Sequence, residues 1–472
     1  MTSNPLLWRA ACAALFVTAA ALAGCNTLPV ITPDMAPAQI DSVRLQAANG
    51  HILSAQRSRA ILAGLAKGGG TTPDAFARHL ALEEAGAEAP LTTGNRVVLL
   101  EDGPSTYQAM FAAIAAARER IDMETYIMEE DAVGLQFADA LIARQREGVR
   151  VHLIHDGVGT LGTSAAYFKR LSSAGVQVVE FNPVNPLAAQ SGWDVNQRDH
   201  RKILVTDGKL AIIGGINISS VYSGGSSVSR PTPSAGSKPG AKDLPWRDTD
   251  LQIEGPAVDE LQRLFDETWA AQKGPALASV AAPASSANVG KEVVRVIGSK
   301  PEDPYSQIYV ALVSAINSAE TEILLTNAYF VPDPQLLQAL VDAAGRGVRV
   351  KMIVPGTTDS SLVFHAGRAH YDPLLRGGVK LYERREALLH AKTAVIDGVW
   401  STVGSTNLDW RSFLHNQEVT AVVLGAGFGD RMRAAFEHDL AVSDEITLQV
   451  WESRSLATRV KEAFARLWEY WL

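Results

Sequence analysis

The sequence contains very little cysteine. Its 472 residues include only Cys12 and Cys25, both close to the N-terminus, so the rest of the chain has neither a disulfide nor a thiolate metal site. It also lacks an HExxH motif, a Walker loop and a dense cluster of carboxylates. We therefore expect no metal and no other cofactor, and chemistry that depends on imidazole, lysine and backbone groups.

An excess of basic residues is missing as well. The chain has 43 Lys and Arg residues against 51 Asp and Glu residues, a net charge of −8 at pH 7. A protein that binds nucleic acid usually carries a basic field, so we expect no nucleic-acid partner. The hydrophobic share of 47% and the charged share of 20% are typical of a globular protein with room for two or three domains.

The N-terminal apolar run is too short for a typical membrane span, which needs ~20 residues. It extends from Ala10 to Gly24, follows the single charge of Arg9, and ends in small residues directly before Cys25. This arrangement resembles a bacterial lipoprotein signal. The resemblance implies cleavage before Cys25, lipidation of that cysteine and, because Asn26 follows, an outer-membrane place on the periplasmic side. An uncleaved anchor helix and an inner-membrane place are the alternatives.

A short pattern occurs twice in the chain. The second copy consists of His390, Lys392, Asp397, Gly404, Ser405 and Asn407, and the first copy, at the same spacing, of His200, Lys202, Asp207, Gly214, Gly215 and Asn217. Side chains two positions apart on a strand point to the same face, so each histidine is expected beside its lysine. One copy would be weak evidence because short motifs occur by chance. Two copies in register indicate an internal duplication with one half-site in each repeat.

The residue types in this pattern suit phosphate chemistry. An imidazole attacks phosphorus or transfers a proton, while a lysine ammonium and an asparagine amide stabilise the non-bridging oxygens as charge develops. Two histidines at one phosphorus divide this work between a nucleophile and an acid/base. The spacing alone leaves open which histidine has which role.

The elements around the two copies also repeat. Strands and helices alternate in both halves, and Val149-Arg150-Val151 recurs as Val348-Arg349-Val350, each after a glycine. The predicted fold is α/β, with two similar domains about a pseudo-twofold axis and both histidines at a shared cleft. The expected segments are a signal peptide (1–24), a tether (25–93) with a peripheral helix at Pro73–Glu84, half one (94–273), a linker (274–290), half two (291–445) and a C-terminal amphipathic helix (446–472).

Two segments outside the repeated elements have open roles. Tyr222–Pro245 is rich in Ser, Gly and Pro, which predicts a long loop that either covers the mouth of the site or is an exposed insertion without a role. Leu456–Leu472 has apolar residues at steps of four, which predicts a helix. We expect this helix to dock on half two through its apolar stripe. The alternative is an interfacial membrane helix with Trp468, Tyr470 and Trp471 at headgroup depth.

The duplicated H-x-K-x4-D pattern with a trailing G-[GS]-x-N resembles the phospholipase D superfamily. Further blocks between about residues 94 and 440 are similar to bacterial cardiolipin synthases, namely Gly94-Asn95 through Asp102-Gly103, Tyr126-Ile127, Trp246-Arg247-Asp248, Gly404 through Asp409, and Asn416-Gln417-Glu418. The resemblance implies two tandem phospholipase D-like α/β sandwich domains with the active site at their interface. The chain departs from many such synthases in its lipoprotein-like signal, which stands in place of paired N-terminal membrane spans, and in the insertion at 223–245.

The resemblance also implies roles for individual residues. It makes His200 the nucleophile and His390 the acid/base, and it places a further group of side chains on the phosphate: Lys202, Lys392, Asn217, Asn407 and Ser405, the last with Gly215 as its counterpart. Asp248 and Glu418 are candidates for orienting the histidines, in a pairing that the sequence leaves open. Asp207 and Asp397 complete the catalytic motif, but each precedes a glycine at a turn, so we expect them to fix the turn through backbone hydrogen bonds.

The implied activity is transfer of a phosphatidyl group from phosphatidylglycerol or a related phospholipid. The group passes through a phosphohistidine to an alcohol acceptor such as a second phosphatidylglycerol. The alternative is a hydrolase of the same fold, in which water is the acceptor and phosphatidic acid the product. A phospholipid membrane is the expected partner, and a monomer suffices because both half-sites lie in one chain.

Overall fold

The computed structural model describes residues 28–31, 43–65, 76–80, 89–185, 193–224, 244–277 and 289–472. The expected signal peptide and Cys25 lie outside the described residues, as do most of the insertion after Tyr222 and the central part of the linker. Within the described ranges, helices and strands alternate along both halves, as the sequence predicts.

Helices and strands are numbered separately in chain order. The helices are α1 (Ala55–Leu65), α2 (Gly103–Ala116), α3 (Ala132–Arg146), α4 (Ala165–Ser173), α5 (Ala257–Ala271), α6 (Gln307–Ser318), α7 (Pro334–Gly345), α8 (Ser361–Arg368), α9 (Tyr371–Arg376), α10 (Trp410–Leu414), α11 (Ala426–Ala441), α12 (Leu448–Glu452) and α13 (Leu456–Arg466). The strands are β1 (Thr92–Leu100), β2 (Arg120–Thr125), β3 (Arg150–Asp156), β4 (Gln177–Phe181), β5 (Arg198–Asp199), β6 (Ile203–Thr206), β7 (Leu210–Gly214), β8 (Trp246–Arg247), β9 (Asp250–Glu254), β10 (Glu292–Ser299), β11 (Glu322–Asn327), β12 (Phe330–Val331), β13 (Arg349–Pro355), β14 (Lys380–Arg384), β15 (Leu388–Leu389), β16 (Lys392–Ile396), β17 (Trp400–Gly404), β18 (Leu408–Asp409), β19 (Asn416–Leu424) and β20 (Ser443–Ile446).

One continuous sheet runs through both halves. Its strand order is β20-β14-β13-β11-β16-β17-β19-β10-β1-β9-β7-β6-β2-β3-β4. Counted from β1 and β10 towards the two edges of the sheet, each strand of half one therefore occupies the same position as a strand of half two. For example, β9 corresponds to β19 and β2 to β11. β1 and β10 pair antiparallel, with Thr92 opposite Val294. The mirrored order confirms the predicted α/β fold and places the pseudo-twofold axis between these two strands.

Burial explains why the two halves form one unit. Every residue of β2, β11, β17 and β19 is buried, as expected for strands covered on both faces. One apolar cluster joins side chains of half one, such as Val97 and Leu251, to side chains of half two, such as Val296 and Val403. Burial of apolar surface stabilises by roughly 25 cal/mol per Å². The shared cluster therefore holds the halves in a fixed relation, on which a site between them depends.

Equivalent helix caps occur just after β2 and β11. The Asp131 carboxylate accepts hydrogen bonds from the N–H groups of Val133 (3.0 Å) and Gly134 (2.9 Å) and so starts α3. The Asp333 carboxylate accepts from the N–H of Gln335 (2.9 Å) at the start of α7. The motif histidines lie beside the C-terminal ends of β2 and β11. After each of these ends, the capped helix leads the chain away from the sheet.

Part of the expected N-terminal tether belongs to the folded core. Leu45, Leu62 and Leu80 are buried in the apolar cluster of half two. Residues 76–80 are helical and lie within the predicted helix at Pro73–Glu84, whose ends fall outside the described residues. Nε2 of His79 lies 3.0 Å from Asp397 Oδ2, at the end of β16 remote from the motif histidine. This segment therefore closes half two on the side away from the cleft.

The C-terminal helix docks in an orientation that differs from the expectation. α13 ends at Arg466, and a 3₁₀ turn over Glu469–Trp471 completes the chain. Its inward face carries Glu462 and Ala465, whereas the apolar stripe faces outward. The expectation that the stripe covers half two is therefore wrong, because an ion pair of Glu462 takes that place. Within the described ranges, every helix is too short or too polar to cross a membrane.

Candidate active site

Each motif histidine lies where a short strand of one half pairs with the other half. His200 stands between β5 and β6, and β5 pairs with the start of β19. His390 stands between β15 and β16, and β15 pairs with β8. The backbone N–H of His200 donates to the Gln417 carbonyl (3.0 Å), and that of His390 donates to the Arg247 carbonyl (2.8 Å). These crossed pairings fix each histidine against the opposite half.

The acidic partners of the histidines also cross between the halves. Nδ1 of His200 lies 3.1 and 3.2 Å from the two carboxylate oxygens of Glu418. Nδ1 of His390 lies 2.6 Å from Asp248 Oδ2. A carboxylate on Nδ1 fixes the tautomer and the ring orientation, and it leaves Nε2 as the atom for reaction. The pairing that the sequence left open is thus His200 with Glu418 and His390 with Asp248, and neither half alone contains a complete pair.

Ser405 contacts a carboxylate, which differs from its expected place on the phosphate. Its hydroxyl donates to Glu418 Oε2 (2.5 Å) and accepts from the Val419 N–H (3.0 Å), and the residue has no exposed surface. In half one, a Cβ added at Gly215 would lie 2.4 Å from both oxygens of Asp248. The shorter aspartate therefore needs a glycine behind it, whereas the longer glutamate reaches a serine hydroxyl. Both positions support the acidic partner of a histidine.

The two motif lysines are buried beside the histidines. Each is 4% exposed, and the ammonium group of Lys202 donates to the His200 carbonyl at 2.6 Å, as that of Lys392 does to the His390 carbonyl. Burial lowers the pKa of Lys202 to about 7 and also lowers the pKa of Lys392. Burial thus disfavours the charged form of both lysines in the free protein, and a bound phosphate anion would favour it. Among the described residues, no group of three or more His, Asp or Glu side chains is arranged to hold a metal ion.

The two histidines differ in their electrostatic surroundings. Burial, followed by the charges of Lys202 and Lys392, holds the pKa of His200 well below its usual value. Burial and Lys392 also lower the pKa of His390, but Asp248 opposes this shift. His200 is therefore neutral near pH 7, as a nucleophile must be, and His390 has the stronger tendency of the two to keep a proton.

The two motif asparagines have different contacts. Oδ1 of Asn217 accepts from the Ile127 N–H (3.0 Å), and its Nδ2 donates to the Tyr222 hydroxyl (3.2 Å). Asn407 is 4% exposed, and its Oδ1 has no hydrogen-bond partner among the described residues. The amide of Asn217 is thus engaged within the protein, whereas the amide of Asn407 has capacity left for a ligand.

The motif aspartates lie at the end of the strands remote from the histidines. Asp207 accepts from the N–H groups of Arg118 (2.8 Å), Glu119 (2.8 Å) and Arg120 (2.9 Å) at the start of β2. Asp397 accepts from the Thr321 N–H (2.7 Å) at the start of β11. Both aspartates have positive φ, 53° and 52°, in the turns that lead to the next strand. Their contacts are those expected for turn residues, and they do not reach the cleft.

Two aromatic residues at the ends of the insertion contact His390. The hydroxyl of Tyr222 lies 3.3 Å from His390 Nδ1, and the ring of Trp246 lies 5.0 Å from the imidazole between centroids. The sequence analysis missed Tyr222 as a site residue. The signal was its position, because Tyr222 and Trp246 bound the insertion on either side. Two half-buried tyrosines complete the surroundings, with Tyr126 5.1 Å from the ring of His200 and Tyr329 6.2 Å from that of His390.

A duplicated α/β fold in which each half gives one histidine and one lysine to a shared site, with carboxylates crossing between the halves, defines a protein of the phospholipase D type. The chain belongs to the family described as "Cardiolipin synthase, PLD-like domain", whose model matches residues 110–222 and 312–440. Cardiolipin synthase of Alkalihalophilus pseudofirmus is 33% identical over 384 residues, which cover 80% of this chain and 72% of that protein. Cardiolipin synthase 2 of Bacillus anthracis is 33% identical over 374 residues, which cover 78% of this chain and 69% of that protein.

A solved structure shares the fold at low identity. The crystal structure of phosphatidylserine synthase from Haemophilus influenzae Rd KW20 has a TM-score of 0.59 and 12% sequence identity. The similarity covers 84% of this chain and 100% of that chain. The two chains therefore share an overall fold.

Proposed function

We propose that this protein transfers a phosphatidyl group from phosphatidylglycerol to the alcohol of a second phosphatidylglycerol, which yields cardiolipin and glycerol. The observation that carries the proposal is the crossed pair of histidines, each with its Nδ1 on a carboxylate of the opposite half and with a buried lysine beside it. Membership of the cardiolipin synthase family supports a phospholipid phosphatidyltransferase of the phospholipase D superfamily.

In the first step, Nε2 of His200 attacks the phosphorus and the bond from phosphorus to the glycerol oxygen breaks. His390 reacts as an imidazolium ion, with its Nδ1 proton held by Asp248. It gives its Nε2 proton to that oxygen and becomes neutral, and glycerol leaves. The product is a phosphatidyl group on His200, and the positive charge of its imidazolium ring is stabilised by Glu418 on Nδ1. The low pKa of His200 supports its role as the neutral nucleophile.

In the second step, the hydroxyl of the acceptor gives its proton to His390 and attacks phosphorus, and His200 leaves. Lys202 and Lys392 stabilise the non-bridging oxygens in both steps. Water as the acceptor would give phosphatidic acid. The burial of both histidines, 7% and 4% exposed, limits access of water and so supports transfer over hydrolysis.

The test is incubation of the purified protein with labelled phosphatidylglycerol in micelles, followed by chromatography of the lipids. We expect cardiolipin and free glycerol from the wild type, none from His200→Ala or His390→Ala, and normal turnover from His51→Ala, an exposed histidine outside the cleft. Peptide mass analysis after an acid-free quench should locate the phosphatidyl adduct on His200. Phosphatidic acid as the sole product would show that the enzyme is a hydrolase and not a transferase. The absence of turnover of any phospholipid would refute the proposal of a lipid substrate.

A bacterial envelope location through a lipid on Cys25 is part of the same proposal. It is supported by the apolar run from Ala10 to Gly24 and the small residues before the cysteine. Metabolic labelling with palmitate should mark the wild type but not Cys25→Ser. Fractionation of the labelled cells would distinguish the outer membrane from the inner membrane.

A further inference from the structure

The C-terminal helix presents an apolar face to solvent. The side chains of this face, with their exposed fractions, are Leu456 (77%), Val460 (59%), Phe464 (60%), Leu467 (76%), Trp468 (49%) and Trp471 (54%). We call these six residues the C-terminal apolar face. Isolated exposed apolar residues are ordinary on a protein surface, but a contiguous set on one helix indicates a contact surface.

The outward orientation of this face is fixed by the contacts of the opposite side of the helix. Glu462 is only 2% exposed and accepts from Nε of Arg454 at 2.9 Å, and the Nε of Arg368 on α8 lies 3.6 Å from its other oxygen. Ala465 is buried in a small apolar cluster with Val331 and Ala366. Rotation of the helix to bury the apolar stripe would expose that cluster and break the ion pairs. The contacts of the opposite side of the helix therefore keep the apolar face exposed.

The residues that border the face are those of an interfacial helix. From the helical repeat, Lys461 lies on one side of the stripe, while Arg459 and Arg466 lie on the other, and all three are exposed. Trp468 and Trp471 stand at the end of the stripe, and tryptophan is typical of the boundary between headgroups and acyl chains. A basic border around an apolar face complements an anionic lipid surface. A second copy of the same face would bring like charges together.

The face is connected to both sides of the cleft. On the side of His200, the Arg411 N–H donates to the Leu472 carbonyl (3.1 Å), and the charge of Arg411 acts on that histidine. The ring of Tyr470 packs on Trp410 at 5.6 Å. The 3₁₀ turn and the last residue, which follow α13, thus pack on α10, the helix that carries Arg411.

On the side of His390, the connection runs through α8. The ring of Tyr329 lies 6.2 Å from that of His390, and its hydroxyl donates to Asp359 (2.7 Å), just before the start of α8. Arg368 at the end of α8 then reaches α13 through Glu462. The C-terminal segment that bears the apolar face therefore contacts elements beside both histidines, α10 near His200 and α8 near His390.

We propose that the C-terminal apolar face is the surface by which this protein docks on an anionic phospholipid bilayer, with the cleft held over the lipids that it uses. The inference rests on the proposed function for the identity of those lipids. The face enters the boundary between headgroups and acyl chains, and the three basic residues contact the headgroup phosphates.

The test separates access to a bilayer from chemistry. The full chain is reconstituted and assayed on phosphatidylglycerol vesicles and, separately, on short-chain phosphatidylglycerol dissolved as monomers. We expect the double variant Phe464→Glu, Leu467→Glu to be ~10-fold slower on vesicles and unchanged on monomers. Ile52→Glu, which places one such carboxylate at a side chain 65% exposed outside the helix, should match the wild type on both.

A second measurement reports contact without any turnover. Lipids brominated in the acyl chains quench tryptophan fluorescence on contact, and the quenched fraction should fall in the variant Trp468→Phe, Trp471→Phe. Quenching in the tryptophan variant equal to that of the wild type would overturn the inference. So would a glutamate variant that loses activity equally on vesicles and on monomers, or one whose rate on vesicles is unchanged. A dimer that the glutamate variant disrupts would assign the face to a second copy instead. If the wild type is inactive on both substrates, the proposed function fails, while the quenching still decides whether the face docks.

Discussion

The carboxylate on Nδ1 of each motif histidine comes from the opposite half. A single substitution of that carboxylate therefore measures what it contributes to catalysis. In Asp248→Asn and Glu418→Gln the ring loses the acceptor that fixes its tautomer and that stabilises the imidazolium ion. We expect kcat to fall by roughly 10⁴-fold in each variant, as when a similar buried carboxylate is replaced by an amide. KM should change little, because both residues act through a histidine and contact no substrate.

The control for this prediction is Asp139→Asn, which removes a charge from a carboxylate side chain 67% exposed on the surface. It should keep the kcat of the wild type. A normal kcat in either of the two buried variants would contradict the positioning role. A rise in KM without a fall in kcat would assign the residue to lipid binding instead.

The pKa values of Glu418 and Lys202 predict a narrow pH optimum. Burial raises the pKa of Glu418 to about 7, so this carboxyl group is ionised and orients His200 only above that pH. Burial lowers the pKa of Lys202 to about 7, so its positive charge is present only below that pH in the free enzyme. We expect a bell-shaped plot of kcat/KM with its maximum near neutral pH.

The two limbs of this plot have separate origins. Glu418→Gln should remove the acid limb, because the amide does not titrate. On the alkaline side, KM should rise first, since a bound phosphate anion raises the pKa of the lysine and so protects kcat. A flat plot of kcat/KM from about pH 6 to about pH 9 would contradict both assignments.

The sequence predicts the chemical groups of the site better than their partners. The histidines, lysines and carboxylates follow from two copies of one pattern, since duplication makes chance improbable. Their pairing does not follow, because it depends on the short contacts of β5 with β19 and of β15 with β8, which join distant parts of the chain. Ser405 and Tyr222 were misjudged or missed for the same reason, since their contacts depend on which carboxylate or histidine lies opposite.

At the level of single elements, the turns after β6 and β16 carry a stability prediction. Asp207 accepts three backbone N–H groups at the start of β2, so Asp207→Ala leaves these donors unpaired. We expect the free energy of unfolding to fall by about 3 kcal/mol, with kcat of the folded fraction nearly unchanged. Urea unfolding combined with activity per folded molecule measures both.

Asp207→Asn serves as the matched variant, because asparagine keeps the preference for the turn conformation and one acceptor oxygen. Its stability should lie between that of the alanine variant and the wild type. Loss of kcat without loss of stability would contradict the structural role and return the aspartate to the catalytic set that the motif suggests.

Element boundaries were also easier to predict than element orientation. α7 begins at Pro334 directly after its cap Asp333, and a capping carboxylate followed by proline is a helix start that the sequence itself shows. For α13 the helical period defines two faces but does not say which faces inward. The inward face is decided by Glu462, which pairs with Arg368 of α8 and with Arg454 of the turn before α13. Such ion pairs leave no periodic signal in the sequence.

For the whole molecule, the duplication predicts two similar α/β halves and a site between them, and the mirrored strand order confirms this. The joining of the halves into one sheet through β1 and β10 could not be predicted, because strand pairing at that edge depends on surfaces of both repeats. The crossed carboxylates predict that activity requires this union. Half one holds His200 but takes its Nδ1 partner from half two, and the reverse holds for His390.

A chain divided between residues 277 and 289 tests this dependence. The two fragments expressed separately should each retain less than ~10⁻³ of the activity, and the fragments expressed together should regain it, because β1–β10 pairing and the shared apolar cluster drive their association. Circular dichroism distinguishes a folded but inactive fragment from an unfolded one. Asp248→Asn in the half-one fragment should lower the activity of the reassembled pair as it does in the intact chain. Turnover by a single fragment would contradict the crossed arrangement, since that fragment would then need to orient its histidine with a group of its own.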